Sequence, residues 1–270
     1  MPVSEPVNAE FRQRTAVCLY AGAGIGKTLQ IGRLIEAFGP EKVIIVSAEG
    51  GLNTIKSKIA PGNVITVQSM DDMRKAWGTV KAKYNSPDHW VCIDGGSQIA
   101  EWIENDQFIG ADRYFEMLSK GETQSSVPDN LKMYGRFVSK RGEDITIDNR
   151  SIYRIIGQEI QNLLSAWLTK LDCSIYWNYL AKMTEADSTG KRMIPWGPDV
   201  PGSVGVKKIQ SAFDFLGRLT LNDEGHLCAS FKPARTHMAK SREERDIVGV
   251  LDDPIVGFDL GAFVRGLKRG

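Results

Sequence analysis

The chain has 270 residues, 42% of them hydrophobic, and a formal net charge of +1 from 34 Lys+Arg against 33 Asp+Glu. That length and apolar fraction suit one large α/β domain with a sizeable core better than two independent ones. The balanced charge excludes a uniformly basic nucleic-acid binder, so any basic surface must be local.

Residues 1–12 read as an N-terminal tail, without the apolar run of a signal peptide, and 13–270 as a single domain. "TAVCLY" (15–20) is a short apolar strand that leads into "AGAGIGKT" (21–28), the phosphate-binding P-loop pattern with Ala21 in place of its first glycine. The backbone N–H groups of Gly22, Ala23, Gly24, Ile25 and Gly26 can turn inward around an anion, and Lys27 and Thr28 open a helix whose positive end favours one. In that geometry Lys27 reaches the β- and γ-phosphates of a nucleotide and Thr28 ligates Mg²⁺. "TLQIGRLIEAF" follows with Leu29, Leu34, Ile35 and Phe38 at helical spacing.

"KVIIVSAE" (42–49), "NVITVQ" (63–68), "HWVCID" (89–94) and "CSIYWN" (173–178) are apolar, β-branched or aromatic runs of the kind that form parallel strands buried on both faces. Between them "DDMRKAWGTVKAKY" reads as a helix capped by Asp71 or Asp72. Residues 154–171 carry Ile155, Ile156, Ile160, Leu163, Leu164, Trp167, Leu168 and Leu171 on one stripe. Beyond Asp214 the pattern turns to short strands, expected as an antiparallel extension. The fold class is therefore a doubly wound, mostly parallel α/β sheet with a C-terminal antiparallel extension. Two polar stretches, 103–152 and 184–208, resist assignment and read as long functional loops.

Cys18, Cys92, Cys173 and Cys228 lie in the apolar runs with no ligand spacing and read as reduced core thiols of a cytoplasmic protein. No stretch is long enough to span a membrane. Asp94 ends a buried strand, which suits a carboxylate beside Mg²⁺ if that strand neighbours the P-loop strand, and Ser97 could bond a metal-bound water. The same Asp could instead cap the helix behind it. Glu49 ends the second strand, where a carboxylate can orient and deprotonate water, although such a residue is more often simply solvated.

The set "AGAGIGKT", "SAEGGL" and "HWVCID" resembles the RecA superfamily, and most closely phage and prophage RecA-like ATPases that include single-strand annealing recombinases. "MYGRF" (133–137), "PDVPGS" (198–203), "DFLGRL" (214–219) and "KSR" (240–242) follow in that family's order, so the resemblance spans 13 to 245. It implies an ATP-hydrolysing, Mg²⁺-dependent protein in which Glu49 is the catalytic base and Asn178 a sensor at the nucleotide. It also implies that Lys240 and Arg242 reach a neighbour's γ-phosphate, making the protein a homo-oligomer, ring or filament, with shared sites.

In such relatives mobile loops hold DNA. The matching segments here contain Lys132, Arg136, Lys140, Arg141, Lys191, Arg192, Lys207 and Lys208, with Tyr134, Phe137 and Trp196 as aromatic partners for exposed bases. The partner implied is single-stranded DNA, in a bacterial host if the gene belongs to a phage, with single-strand-binding or replication proteins as further partners. Ala21 departs from the family pattern, as does Leu180, where many relatives carry histidine. A helicase loader or replicative motor, and a nucleotide-dependent protein-binding switch, remain as alternatives.

Overall fold

A computed structural model describes residues 14–123, 125–141, 144–147, 149–183, 196–234, 237–241 and 253–267, with the backbone alone at 136–141, 144–147, 149 and 183. In chain order its strands are β1 (Ala16–Ala21), β2 (Val43–Ser47), β3 (Val64–Thr66), β4 (Trp90–Asp94), β5 (Val138–Arg141), β6 (Asp144–Ile147), β7 (Ser174–Met183), β8 (Trp196–Pro198), β9 (Phe215–Leu221), β10 (Leu227–Ser230), β11 (Lys240–Ser241) and β12 (Ile255–Val256). The helices are α1 (Lys27–Phe38), α2 (Met70–Lys83), α3 (Gly96–Ser119), α4 (Asn149–Thr169), α5 (Gly202–Ala212) and α6 (Leu260–Leu267).

Six strands are parallel in the order β9-β1-β7-β4-β2-β3, and antiparallel strands extend this sheet: β10, β11 and β12 beyond its β9 edge, and β8 on the end of β7. The doubly wound sheet with its antiparallel extension is the one the hydrophobic pattern predicts. Each central strand is apolar along most of its length because both of its faces are covered. Cys18, Tyr20, Ile44, Val46, Val91, Ile93 and Trp177 join the core under α2, α3, α4 and α5. Val17, Leu19, Val43, Ile45, Cys92 and Tyr176 alternate with them and join the core under α1 and α6. All four cysteines are buried and free. None of the described helices is long and apolar enough to cross a membrane.

Several expectations are corrected. β1 and β4 are not neighbours, because β7 is inserted between them. Residues 103–152 are not one irregular loop: α3 runs through 119, a two-stranded β5-β6 hairpin follows, and α4 begins at Asn149. Its buried Ile99, Ile103, Ala111 and Tyr114 recur at helical spacing, while the polar residues between them face solvent. In the second stretch, 196–198 form β8 and α5 begins at Gly202, whereas 184–195 lie outside the described residues. Neither Asp71 nor Asp72 caps α2. Ser69 does, accepting the Asp72 N–H at 3.2 Å while donating to the Asp72 carboxylate at 3.0 Å, a reciprocal pair.

The sequence pattern also misses α6, which braces the back of α1. The Leu260 N–H donates to Oε1 of buried Gln30 at 2.8 Å, Asp259 pairs with Arg33 at 3.4 Å, and Asp259 caps α6 through the Ala262 N–H. A Cβ on Gly261 would lie 2.4 Å from the Arg33 carbonyl oxygen, so the two helices touch backbone to backbone. Gly261→Ala is therefore expected to pry α6 off α1 and destabilise the protein by about 1–3 kcal/mol. Urea unfolding at equilibrium checks this; a midpoint equal to that of the parent would show that α6 yields without cost.

Candidate functional site

The first strand delivers the glycine-rich turn to the carboxyl edge of the sheet. Gly22, Ala23 and Gly24 are exposed, Ile25 is half-buried, and Gly24 (φ 76°) and Gly26 (φ 99°) take the left-handed backbone that a side chain disfavours. Gly26 precedes the first turn of α1, which no side chain caps and which contains no acid, so the positive end of a 12-residue helix opens onto the turn. Lys27 is buried beneath it and donates its Nζ to the carbonyl oxygens of Ala21 (3.2 Å) and Gly22 (3.0 Å). The Tyr176 hydroxyl donates to the Lys27 carbonyl at 3.0 Å, tying the start of α1 to β7.

Thr28 donates its hydroxyl to Asp94 Oδ1 at 3.2 Å. Although β7 separates the P-loop strand from β4, it closes the gap chemically. Asn178 donates its amide to the same Oδ1 at 2.5 Å and accepts the Gly95 N–H at 2.9 Å. Asn178 thus acts on Asp94 and its turn, and the structure shows both ends of its amide engaged there. Ser97 accepts the Leu180 N–H at 2.9 Å, which occupies it in joining α3 to β7.

Glu49 reaches this cluster from β2. The Ala48 N–H donates to the Asp94 carbonyl at 2.9 Å, carrying the β2-β4 ladder one residue past the end of β2. The next residue then lies over the turn after Asp94: a Cβ on Gly95, whose φ is 103°, would stand 2.8 Å from Glu49 Cγ. Glu49 is half-buried and opens onto a cleft of about 530 Å³ whose lining includes Ser97, Gln98, Glu101 and Lys182.

Three charges share this space. Burial pushes the Asp94 carboxyl above its ordinary value, against the hydrogen bonds from Asn178 and Thr28 and the charge of Lys27. Burial likewise raises Glu49, helped by the Asp94 charge and opposed by Lys27. Burial lowers the Lys27 amine, with Glu49 and Asp94 pulling it back. Asp94 Oδ2 is buried without a hydrogen-bond partner among the described residues. A hydroxyl, a carboxylate and an orphaned carboxylate oxygen are the hard oxygen donors that suit Mg²⁺, so Thr28 and Asp94 fit that ion.

The other expected residues do not gather here. The Lys240 amine donates to the Ser211 carbonyl at 3.1 Å, in the last turn of α5, and its Cα pairs with Leu216 in the amino half of β9, away from its own P-loop. Arg242, Lys191 and Arg192 lie outside the described residues. Tyr134 is not an exposed stacking platform: it is buried against α3 and donates to Gln107 at 2.8 Å. Trp196 is half-buried, with the Arg218 guanidinium 5.0 Å from its ring centre and its carbonyl accepting the Tyr20 hydroxyl at 2.9 Å. Lys132 is paired with Asp129 at 2.6 Å. Lys207 is exposed and Lys208 half-buried on α5. At Arg136, Phe137, Lys140 and Arg141 only the backbone is described. Tyr176 was not foreseen as part of the site, yet the two-residue period of β7 places it on the same face as Asn178.

No family model and no curated protein matches the chain. Among solved structures it is similar to one titled "Crystal structure of the RadB recombinase", with 15% identity and a TM-score of 0.41 over 83% of this chain and 81% of that one.

The raised Asp94 value means that the folded metal-free protein disfavours the ionised form. Stability is then lost as pH rises from the ordinary carboxylate range through the folded value. Asp94→Asn, which keeps an acceptor for Thr28 and Asn178, is expected to melt higher than the parent at neutral pH without metal, with the gap closing in acid. Melts across pH 4–8 with chelator present check this; a variant that melts lower at pH 7 would mean that the ionised carboxylate stabilises the metal-free fold.

Proposed function

We propose that this chain is a Mg²⁺-dependent ATPase of the RecA type that assembles on single-stranded DNA and promotes annealing or strand exchange. The observation that carries the ATPase reading is the seating of Glu49 against Gly95, directly beside the Thr28–Asp94–Asn178 chain. That arrangement supplies a base, a metal site and a phosphate cradle on one sheet edge.

In this reading the loop N–H groups from Gly22 to Thr28 bind the phosphates, and Lys27 exchanges its carbonyl partners for β- and γ-oxygens. Thr28 and Asp94 hold Mg²⁺, which when bound neutralises charge on those oxygens. Glu49 orients water from the cleft and takes its proton, and a value raised toward neutrality makes a better base than an ordinary carboxylate. Asn178 is a positioning residue that keeps Asp94 aimed. Glu49→Gln is expected to bind ATP with little change and to lose turnover by roughly 10²–10⁴. If nucleotide affinity fell while single-turnover hydrolysis of bound ATP stayed normal, Glu49 would be a binding residue instead.

The position of Lys240 supports a reading in which sites are shared between subunits. Its amine cannot serve its own P-loop from the last turn of α5, whereas a neighbouring subunit's Lys240 and Arg242 can complete a site. Single-strand contact would draw on the β5-β6 hairpin with Lys140 and Arg141, on Lys191 and Arg192, and on α5. ATP hydrolysis is expected to rise with protein concentration and with single-stranded DNA. The double variant Lys240→Ala, Arg242→Ala and the Glu49→Gln variant, each inactive alone, should regain activity when mixed. Full activity in a monomer would exclude shared sites, and DNA translocation or unwinding would identify a motor.

A further inference from the structure

The topology of the sheet gives the base of a nucleotide held on the P-loop a side. Glu49, two residues past the end of β2, and Asp94, the last residue of β4, which in this reading serve the terminal phosphate, are both on the β7 side of β1. In a P-loop the lysine reaches the β- and γ-phosphates while the loop N–H groups hold the α/β end. A nucleotide with its terminal phosphate toward those acids sends its nucleoside the opposite way, to the β9 side of β1.

An apolar ledge stands there. Leu221 and Leu227 are a cross-strand pair at the turn end of the β9-β10 hairpin, so their side chains share a face. One step inward the next pair on that face, Leu219 and Ala229, is buried in the core under α1. The outer pair therefore continues the α1-side core past the end of the sheet, to the height of the P-loop. The ledge stands beside the loop: a Cβ added to Gly26 would lie 3.9 Å from Leu227 Cδ2 and 3.9 Å from Leu29 Cβ. Leu29, in the first turn of α1, is 37% exposed, and Leu221 is 52% exposed. Three leucines thus surround the point where the phosphate cradle ends, two of them open to solvent.

We propose that Leu29, Leu221 and Leu227 form the nucleobase platform of this site, taking one face of the base as the phosphates seat on the loop. This rests on the nucleotide-binding reading of the P-loop. An aliphatic ledge grips a base by its face area, so a purine is held better than a pyrimidine.

Titration calorimetry with Mg²⁺ compares ADP, CDP and inorganic pyrophosphate on the full chain. In the single variants Leu29→Ser and Leu221→Ser, whose side chains are exposed enough to change without unfolding the protein, ADP affinity is expected to fall about tenfold. Pyrophosphate affinity stays at the parental value, Leu221→Met retains ADP, and the parental preference for ADP over CDP narrows in Leu221→Ser. Unchanged ADP affinity in both serine variants, or pyrophosphate affinity falling in step with ADP, would overturn the platform while leaving the P-loop intact. A parent protein that bound neither ADP nor pyrophosphate would overturn the nucleotide site itself, and the platform with it.

Discussion

One carboxylate oxygen, Oδ1 of Asp94, ties together the elements that make the site. It accepts the Thr28 hydroxyl from the start of α1 and the Asn178 amide from β7, while Asp94 itself ends β4 and its carbonyl accepts the Ala48 N–H from β2. Removing a charge from water is costly unless it is hydrogen-bonded, and this buried group is only partly compensated, since its second oxygen has no partner among the described residues. The arrangement therefore stores an unmet electrostatic demand beside the Lys27 amine and the glycine-rich turn. Preorganised groups of this kind need not reorganise when charge arrives, which is where electrostatic stabilisation gains most.

The same constraint explains the local shapes around it. Glu49 can lie beside Asp94 only because the residue after Asp94 is a glycine with left-handed backbone. Tyr176, two residues before Asn178 on the same strand face, fastens α1 so that Thr28 meets the carboxylate at hydrogen-bond distance. On the far side of α1, buried Gln30 receives α6. The P-loop helix is thus clamped from the sheet by β7 and from behind by the C-terminal helix.

What could be read in the sequence was what is locally encoded. "AGAGIGKT" carries its own turn and helix start, and the apolar runs ending in Asp94 and near Glu49 declare strands whose carboxyl ends share an edge. Strand order is not local: nothing in "HWVCID" says that residues 174–183 will slip between it and β1, so the bond from Asn178 to Asp94 could not be read from the sequence. The part of α3 beyond residue 103 read as a loop because a long helix covered on one side alternates apolar and polar residues at a wide spacing, and the polar ones dominated. Tyr134 looked like an exposed aromatic because its partner Gln107 lies 27 residues earlier in the chain. α6, with only eight residues, is too short for periodicity to stand out, and its docking depends on a glycine whose purpose appears only against Arg33.

The placement of β1 between β7 and β9 also bears on how the chain comes to fold. β1 is the earliest of the strands to leave the ribosome, yet the segments that flank it arrive very late: Thr15 bonds Ser174 across 159 residues, and Ala16 bonds Asp214 across 198. Until then a strand that is apolar on both faces has two unpaired edges, the condition under which chains self-associate. Pairings of such sequence separation are closed slowly, because the loop entropy is lost before the contacts form. The loop of residues 21–28 can take its final position only after β7 and β9 have docked on either side of β1, so its geometry is completed late in folding, by strands far from it in the chain.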